Sequence, residues 1–247
     1  MLRCLLCARD YPIIEGTPDF VLEELSRSAD PVLRRMRFID RMARMYETKL
    51  WYPLVLNLYG GFESPSLPRL VNKVTQELQS IKGRVLDVAC GPGTYGRQVA
   101  SPSREVFGID VSMGMLRQGV AYTAKDGVRN MRFARARVES LPFENNFFDA
   151  VICCGSLHLF ADTVIALREM ARAMKPGAIL SVFTFGEGRG GILKFPRVRE
   201  WSRKHHGLHV FEILDMERYL AVAGFENFRP ELFGSILTFT ARRPSSG

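Results

Sequence analysis

The sequence lacks any apolar run close to the ~20 residues that a membrane-spanning helix needs, so no segment is expected to cross a bilayer. It also lacks internal repeats and low-complexity tracts, which sets aside solenoids and arrays. Cysteine is sparse: Cys4, Cys7, Cys90, Cys153 and Cys154 are an odd number and read as reduced thiols, not as a disulfide framework. The start, MLRCLLCARDYP, is broken by Arg3 and Arg9 and has the pattern of neither a signal nor a transit peptide, so a cytoplasmic location is expected. Lysine is scarce as well, 7 of 34 basic residues, the remainder being arginine. Against 26 acidic residues the net charge is +8, which leaves nucleic acid, a membrane surface or an acidic substrate open as partners. A genomic bias toward arginine accounts for that charge equally well.

What is present suits a folded enzyme. The 247 residues suffice for one large domain with a small appendage, and 47% apolar with 24% charged residues is the balance of a globular chain. Residues 1–26 form a lead in which the C-x-x-C of Cys4 and Cys7 precedes YPIIEGTPDF, a strand, Gly turn and strand. Residues 27–82 read as a helical cap. A helix from Asp30 or Pro31 to Lys49 has Val32, Met36, Ile39, Met42, Ala43 and Tyr46 at three-to-four spacing and an arginine-rich opposite face. The aromatic segment WYPLVLNLYGGF (51–62) and a second helix from Leu67 to Ser80 follow. From residue 83 to 247 strands and helices alternate, the signature of a parallel sheet with crossover helices. Strands are predicted at 84–90, 105–109, 131–135, 148–154 and 178–185, with helices at 94–100, 112–124 and 162–174. After an insertion at 186–210 come a helix at 214–223 and two strands joined by Phe233-Gly234-Ser235, a turn too short for a crossover, so that pair must be antiparallel.

The chemistry-bearing feature is VLDVACGPGT (85–94), a buried strand running into a Gly-rich turn that opens a helix. Small residues there let the backbone approach a ligand, and the free N–H groups at the helix start favour its anionic part. Asp110 ends the next strand, where a carboxylate can accept from both hydroxyls of a ribose. The run A-C-G-P-G-T-Y-G is not the dinucleotide fingerprint G-x-G-x-x-G. It resembles motif I, D-x-x-C-G-x-G, of the class I S-adenosylmethionine (SAM) dependent methyltransferases. GIDVSMGML, VESLPFENNFFDAVICCGSLHLF and LREMARAMKPGAIL follow in that family's order. The flanks YETKLWYPLVLNLYGGF and GLHVFEILDMERYLAVAGFENF resemble methyltransferases related to those of ubiquinone and menaquinone biosynthesis, and the lead resembles half of a zinc ribbon.

The resemblance implies a Rossmann-like α/β fold with a seven-stranded, mostly parallel sheet, an antiparallel last strand, helices on both faces and an N-terminal helical cap. It implies SAM as cofactor, with Asp87, Gly91 and Gly93 at its methionine end, Asp110 on the ribose and Met115 on the adenine, although Met115 reads equally well as a helix core residue. Relatives carry an Asp that accepts from the adenine amino group where this chain has Arg137, which holds donors only. Three arrangements are open: recognition by backbone near Val138 with Arg137 turned away or stacked on the ring, substitution by Glu139 as acceptor, or weak SAM binding. Cys153-Cys154-Gly155-Ser156-Leu157-His158 would face the methyl group. They contain neither the Asp/Asn-Pro-Pro-aromatic motif of amino-methylating nucleic-acid enzymes nor the Pro-Cys nucleophile of cytosine-C5 enzymes.

His158, with the near-neutral intrinsic pKa of a histidine, reads either as a base for an acidic O–H, S–H or C–H acceptor or as a loop residue closing the pocket. Tyr59 or Tyr46 would touch the methionine part of SAM from the cap. His205, His206 and His209 lie in a basic segment that Gly207 interrupts, and Cys4 and Cys7 give half of a four-ligand zinc site, so no metal is expected. The expected activity is methyl transfer to a small-molecule acceptor, lipophilic or aromatic, with peripheral membrane contact as an option and the oligomer open. The alternatives are an RNA base methyltransferase, suggested by the charge, and a catalytically silent SAM-fold scaffold, suggested by Arg137.

Overall fold

The computed structural model describes residues 1–4, 8–21 and 51–245. The predicted helix over 31–49, with Tyr46, lies outside the described residues, as does Cys7 and so the complete C-x-x-C pair. The lead has two minimal hairpins, β1 (Leu2–Arg3) with β2 (Asp10–Tyr11), and β3 (Ile13–Ile14) with β4 (Thr17–Pro18), the latter turning through Glu15 and Gly16 as the sequence suggested.

The core is a seven-stranded sheet of β5 (Gly83–Val88), β6 (Arg104–Asp110), β7 (Met131–Arg135), β8 (Phe148–Cys154), β9 (Met174–Phe185), β10 (Glu226–Phe233) and β11 (Ile236–Arg242), in the order β10-β11-β9-β8-β5-β6-β7. The pairs from β9 to β7 are parallel, and β11 runs antiparallel to both β9 and β10. This is the expected Rossmann-like sheet. Its central strands are buried on both faces, which is why AVICC reads as an unbroken apolar run and VLDV is broken only by Asp87, itself buried.

Two apolar layers cover the sheet. On one face lie α1 (Trp51–Val55), α2 (Leu67–Thr75), α3 (Gly96–Val99) and α4 (Met113–Lys125), contributing Tyr52, Leu70, Val74, Val99 and Leu116. On the other lie α5 (Thr163–Ala173) and α7 (Ile213–Val222), contributing Leu167, Met170, Met216 and Leu220. Helix starts follow side-chain capping: the oxygens of Ser112 and Asp162 accept from the N–H groups of Met115 and Ile165.

Two elements were not evident in the sequence. The aromatic segment is helical, α1 continuing into a π-helical turn over Leu56–Gly60. Residues 186–210 carry an eleven-residue helix, α6 (Pro196–His206), stopped by Gly207 in the left-handed conformation. α6 buries only Ser202, so it has no inward apolar stripe for periodicity to reveal. Hydrogen bonds from Glu187 N–H to Phe211 O and from Phe211 N–H to Phe185 O close the excursion at its stem.

Backbone rests on backbone where this excursion meets the π-turn and the β10–β11 turn. Ser235 N–H donates to Gly60 O, and Ser235 Oγ donates to Gly190 O. A Cβ at residue 190 would sit 1.8 Å from Gly60 O, and one at 188 would sit 1.7 Å from Gly234 O. No side chain fits at either position. Gly190→Ala is therefore expected to destabilise the fold by about 1–3 kcal/mol through overpacking against rigid backbone. Urea unfolding followed by circular dichroism checks this, and an unchanged midpoint would show that the backbone can part to admit the methyl group.

Candidate functional site

In an open parallel sheet, ligands bind beyond the carboxyl ends of the strands where the order reverses. Here that point lies between β5 and its neighbours β6 and β8. β5 ends in Ala89, held at φ 50°, a left-handed conformation costly for any residue with a Cβ, and Gly91 (φ 54°) and Gly93 (φ 77°) carry the turn onward. Tight packing underneath requires the small residues. A Cβ at Gly93 would meet Met131 Cε at 2.9 Å, and one at Gly108 would meet Cys90 Sγ at 2.9 Å.

Asp110 fastens this loop to the next one. Its Oδ2 accepts from Gly91 N–H at 2.9 Å and its Oδ1 from Ser112 N–H at 2.8 Å. A carboxylate oxygen can accept more than one hydrogen bond, so a residue that holds the loops in this way can also meet a ligand. Asp110 opens onto a cavity that is lined by Ala89, Gly91, Ile109, Val111, Met115 and Ala136, and also by Arg137, Val138, Glu139, Gly155, Ser156, Leu159 and Phe160. An apolar slot, a carboxylate and a glycine turn thus line one volume, a donor and acceptor set that suits a nucleoside carrying a polar tail.

Of the residues predicted from the sequence, the cavity gathers Gly91, Asp110, Met115, Arg137 and Val138. Asp87, Gly93, Cys154, His158 and Tyr59 stand outside its lining. Asp87 lies under the loop, its Oδ2 accepting from Gly96 N–H at 3.0 Å. Burial pushes its pKa up to about 8 and the nearby Asp110 adds to this, against the lowering effect of the Gly96 bond. The thiols of Cys90, Cys153 and Cys154 are likewise raised, chiefly by burial and then by the Asp87 charge, so they are neutral and poorly nucleophilic. Arg137 leans on Glu139, Nε to Oε2 3.4 Å, which brings a carboxylate to the wall where a carboxylate was expected two residues earlier.

His158 sits behind the Gly155–Ser156 wall in a single 3-10 turn, Leu157–Leu159. Its Nδ1 is 3.3 Å from Thr184 Oγ1, its ring centroid is 4.5 Å from that of Phe185, and Phe185 is 5.5 Å from Tyr59. His209 is tied here too, its N–H donating to His158 O at 2.8 Å. The sequence reading missed Thr184 and Phe185, although their position at the carboxyl end of β9 was a usable signal.

It also missed Arg135. From the end of β7 this buried side chain donates through Nε to Val111 O and through a second nitrogen to Asp19 Oδ2 at 2.8 Å, while Phe20 N–H donates to Arg135 O. Asp19 and Arg135 also form a parallel bridge, so the lead extends the sheet edge. One arginine thereby couples the lead to the Asp110–Val111 wall.

Comparison with known proteins agrees with this geometry. A family profile described as a methyltransferase domain matches residues 85–177. The ubiquinone/menaquinone biosynthesis C-methyltransferase of Pseudomonas paraeruginosa is 31% identical over 184 residues, covering 72% of this chain and 67% of that one. Among solved structures, phosphoethanolamine N-methyltransferase 2 of Haemonchus contortus, in complex with S-adenosyl-L-methionine, superposes with a TM-score of 0.66 at 19% identity over 84% of this chain and 60% of that one. The YcgJ protein of Bacillus subtilis gives 0.61 at 16% identity over 72% and 99%. The RNA-base alternative finds no support among these relatives.

Two outcomes follow from the site. Alone, folded Asp87 keeps its proton to about pH 8, whereas the unfolded chain releases it near 3.8. The unfolded state then binds fewer protons across that window, so this residue makes the ligand-free protein lose stability as pH rises through it. Asp87→Asn should flatten that slope, as read by thermal melts across the window. Asp19→Ala leaves Arg135 charged and buried without its partner and should cost about 3–5 kcal/mol, measured by denaturant unfolding.

Proposed function

The chain belongs to the class I SAM-dependent methyltransferases, in the family of the ubiquinone/menaquinone-biosynthesis C-methyltransferases, and from that premise we propose a small lipophilic aromatic acceptor, methylated at carbon next to an acidic hydroxyl. The protein is an enzyme, SAM is its cofactor and its acceptor is a small molecule. The observation that carries the finer reading is the cluster of Tyr59, Phe185 and His158, buried apart from the partly exposed Tyr59 and close in sequence to the Gly155–Ser156 wall of the cavity.

In this reading Asp110 receives the ribose hydroxyls on its remaining lone pairs. Ile109, Met115, Ala136 and Val138 sandwich the adenine. Glu139, steadied by Arg137, and the backbone at Val138 meet the adenine edge, which answers the missing aspartate. Asp87, Gly91 and Gly93 form the floor at the methionine end, where Asp87 ionises against the positive charge it then faces.

SAM supplies a methyl group already activated on a sulfonium, so alignment and proton removal are what remains for the chain. His158, its ring oriented by Thr184 and Phe185, takes the phenolic proton of the acceptor, which enriches the neighbouring ring carbon. Bound SAM would supply the methyl group to that carbon, and once His158 has passed the first proton to solvent it would take the ring proton, whose loss restores aromaticity. Tyr59 closes the acceptor side. The reduced, buried Cys90, Cys153 and Cys154 suit the cytoplasm.

A methyl-transfer assay with a hydroquinone bearing a free ring position tests this. His158→Ala is expected to lower kcat by about 10²–10⁴-fold while leaving the dissociation constant for SAM within about twofold. Unchanged turnover would reduce His158 to a residue that merely closes the wall, and a product methylated on oxygen would overturn the carbon assignment.

A further inference from the structure

α1 and its π-turn are apolar on two opposite faces. Tyr52, Leu56 and Gly60, four apart, are buried, whereas Leu54, Leu58 and Phe62, also four apart, face outward, Leu54 at 61% exposure and Phe62 fully exposed. The turn packs on the stem of α6, where a Cβ at Gly191 would lie 2.5 Å from the carbonyl oxygens of both Leu58 and Tyr59. Immediately beyond come Phe195 and Trp201, both more than half exposed, with the Trp201 ring lying against His205 and His206.

The charge on this second segment is one-sided. Lys194, Arg197, Arg199, Arg203 and Lys204 stand against Glu200 alone within residues 194–206, and of the five only Arg199 is engaged by a carboxylate among the described residues, Glu187 at 2.8 Å. α6 gives the core no apolar side chain, so packing does not explain the exposed aromatics Phe195, just before it, and Trp201, within it. Isolated surface apolar residues need no explanation, but five large exposed ones on two segments that pack together, the second of them cationic, call for one.

We propose that this face, formed by Leu54, Leu58 and Phe62 with Phe195, Trp201 and the cations of α6, docks on an anionic lipid surface. Aliphatic and aromatic side chains insert at the headgroup boundary, and Lys/Arg pair with lipid phosphates, as in amphipathic interfacial helices. An RNA would use the cations and the two aromatic rings of α6 but has no use for Leu54 and Leu58, which cannot stack on bases as rings do. The purpose rests on the reading of a lipophilic acceptor. The π-turn that presents Leu58 outward holds Tyr59 inward against Phe185, so an acceptor leaving the lipid would meet the acceptor side at once.

The test is co-sedimentation of the full chain with vesicles of phosphatidylcholine, with and without phosphatidylglycerol, in the absence of SAM and acceptor, so that a wrong acceptor cannot decide the result. Binding is expected only with the anionic vesicles, weakening as salt rises, with a blue shift of tryptophan emission that Trp201→Phe diminishes. The double variant Arg203→Glu/Lys204→Glu should weaken binding on the order of tenfold or more, and Leu54→Ser/Phe62→Ser comparably, with melting temperatures unchanged because these residues are exposed. Absence of vesicle binding overturns the proposal, and so does binding that neither variant alters. A dimer that Phe62→Ser dissolves, or RNA binding that Leu54→Ser/Phe62→Ser leaves intact while vesicles fail to bind, would assign the face to that partner instead.

Discussion

The two hydrogen bonds from backbone to the Asp110 carboxylate are the constraint on which the site depends. One side chain spans from the Gly-rich turn after β5 to the cap of α4 after β6, so the two loops keep a fixed separation. That bracket holds only if β5 and β6 keep their parallel register, Val88 opposite Ile109, and if the turn can lie close to the sheet. Gly93, Gly96 and Gly108 permit the second condition, since a Cβ at any of them would collide with the side chains beneath. Burial of Asp87 follows from the same closeness: the loop that covers it excludes water, and its proton stays on until a cation arrives to compensate.

Arginine outnumbers lysine because so much of it binds main chain. Arg104 donates to the carbonyls of Leu78, Gln79 and Val99. Arg172 donates to Leu141 and Phe143 and pairs with Glu169, whose carboxyl is thereby held below its ordinary pKa despite partial burial. Arg135 fixes Val111 O and the lead at once. A guanidinium can serve several acceptors in one plane, whereas an ammonium is a point charge. Among the described residues, such forks clip loops in place, whereas on α6 only Arg199 is held this way, by Glu187 and two carbonyls.

Strand positions, the glycine turn, the antiparallel closing pair and Asp110 were legible because each follows from local pattern: apolar runs, small residues or a short link at a turn, an acid at a strand end. α6 was illegible because it buries almost nothing, and the helical form of 51–60 because its apolar residues occupy both faces and so show no period. Arg135 and Asp19 are 116 residues apart, and no local rule pairs them. Arg137 was legible as a departure. Glu139 was legible too, as one of three answers to it; what the fold adds is that the turn after β7 sets residue 139 beside residue 137 on one wall.

The central question is whether a cavity built around Asp110, with Arg137 in its wall, holds SAM. Titration calorimetry of the full chain with S-adenosylhomocysteine and SAM, repeated on Asp110→Ala, decides it. Saturable one-to-one binding of both ligands, with SAM binding releasing a proton near neutral pH and Asp110→Ala weakening both by about tenfold or more, is the predicted result. Absence of saturable binding at millimolar ligand, or equal affinity in Asp110→Ala, would contradict it.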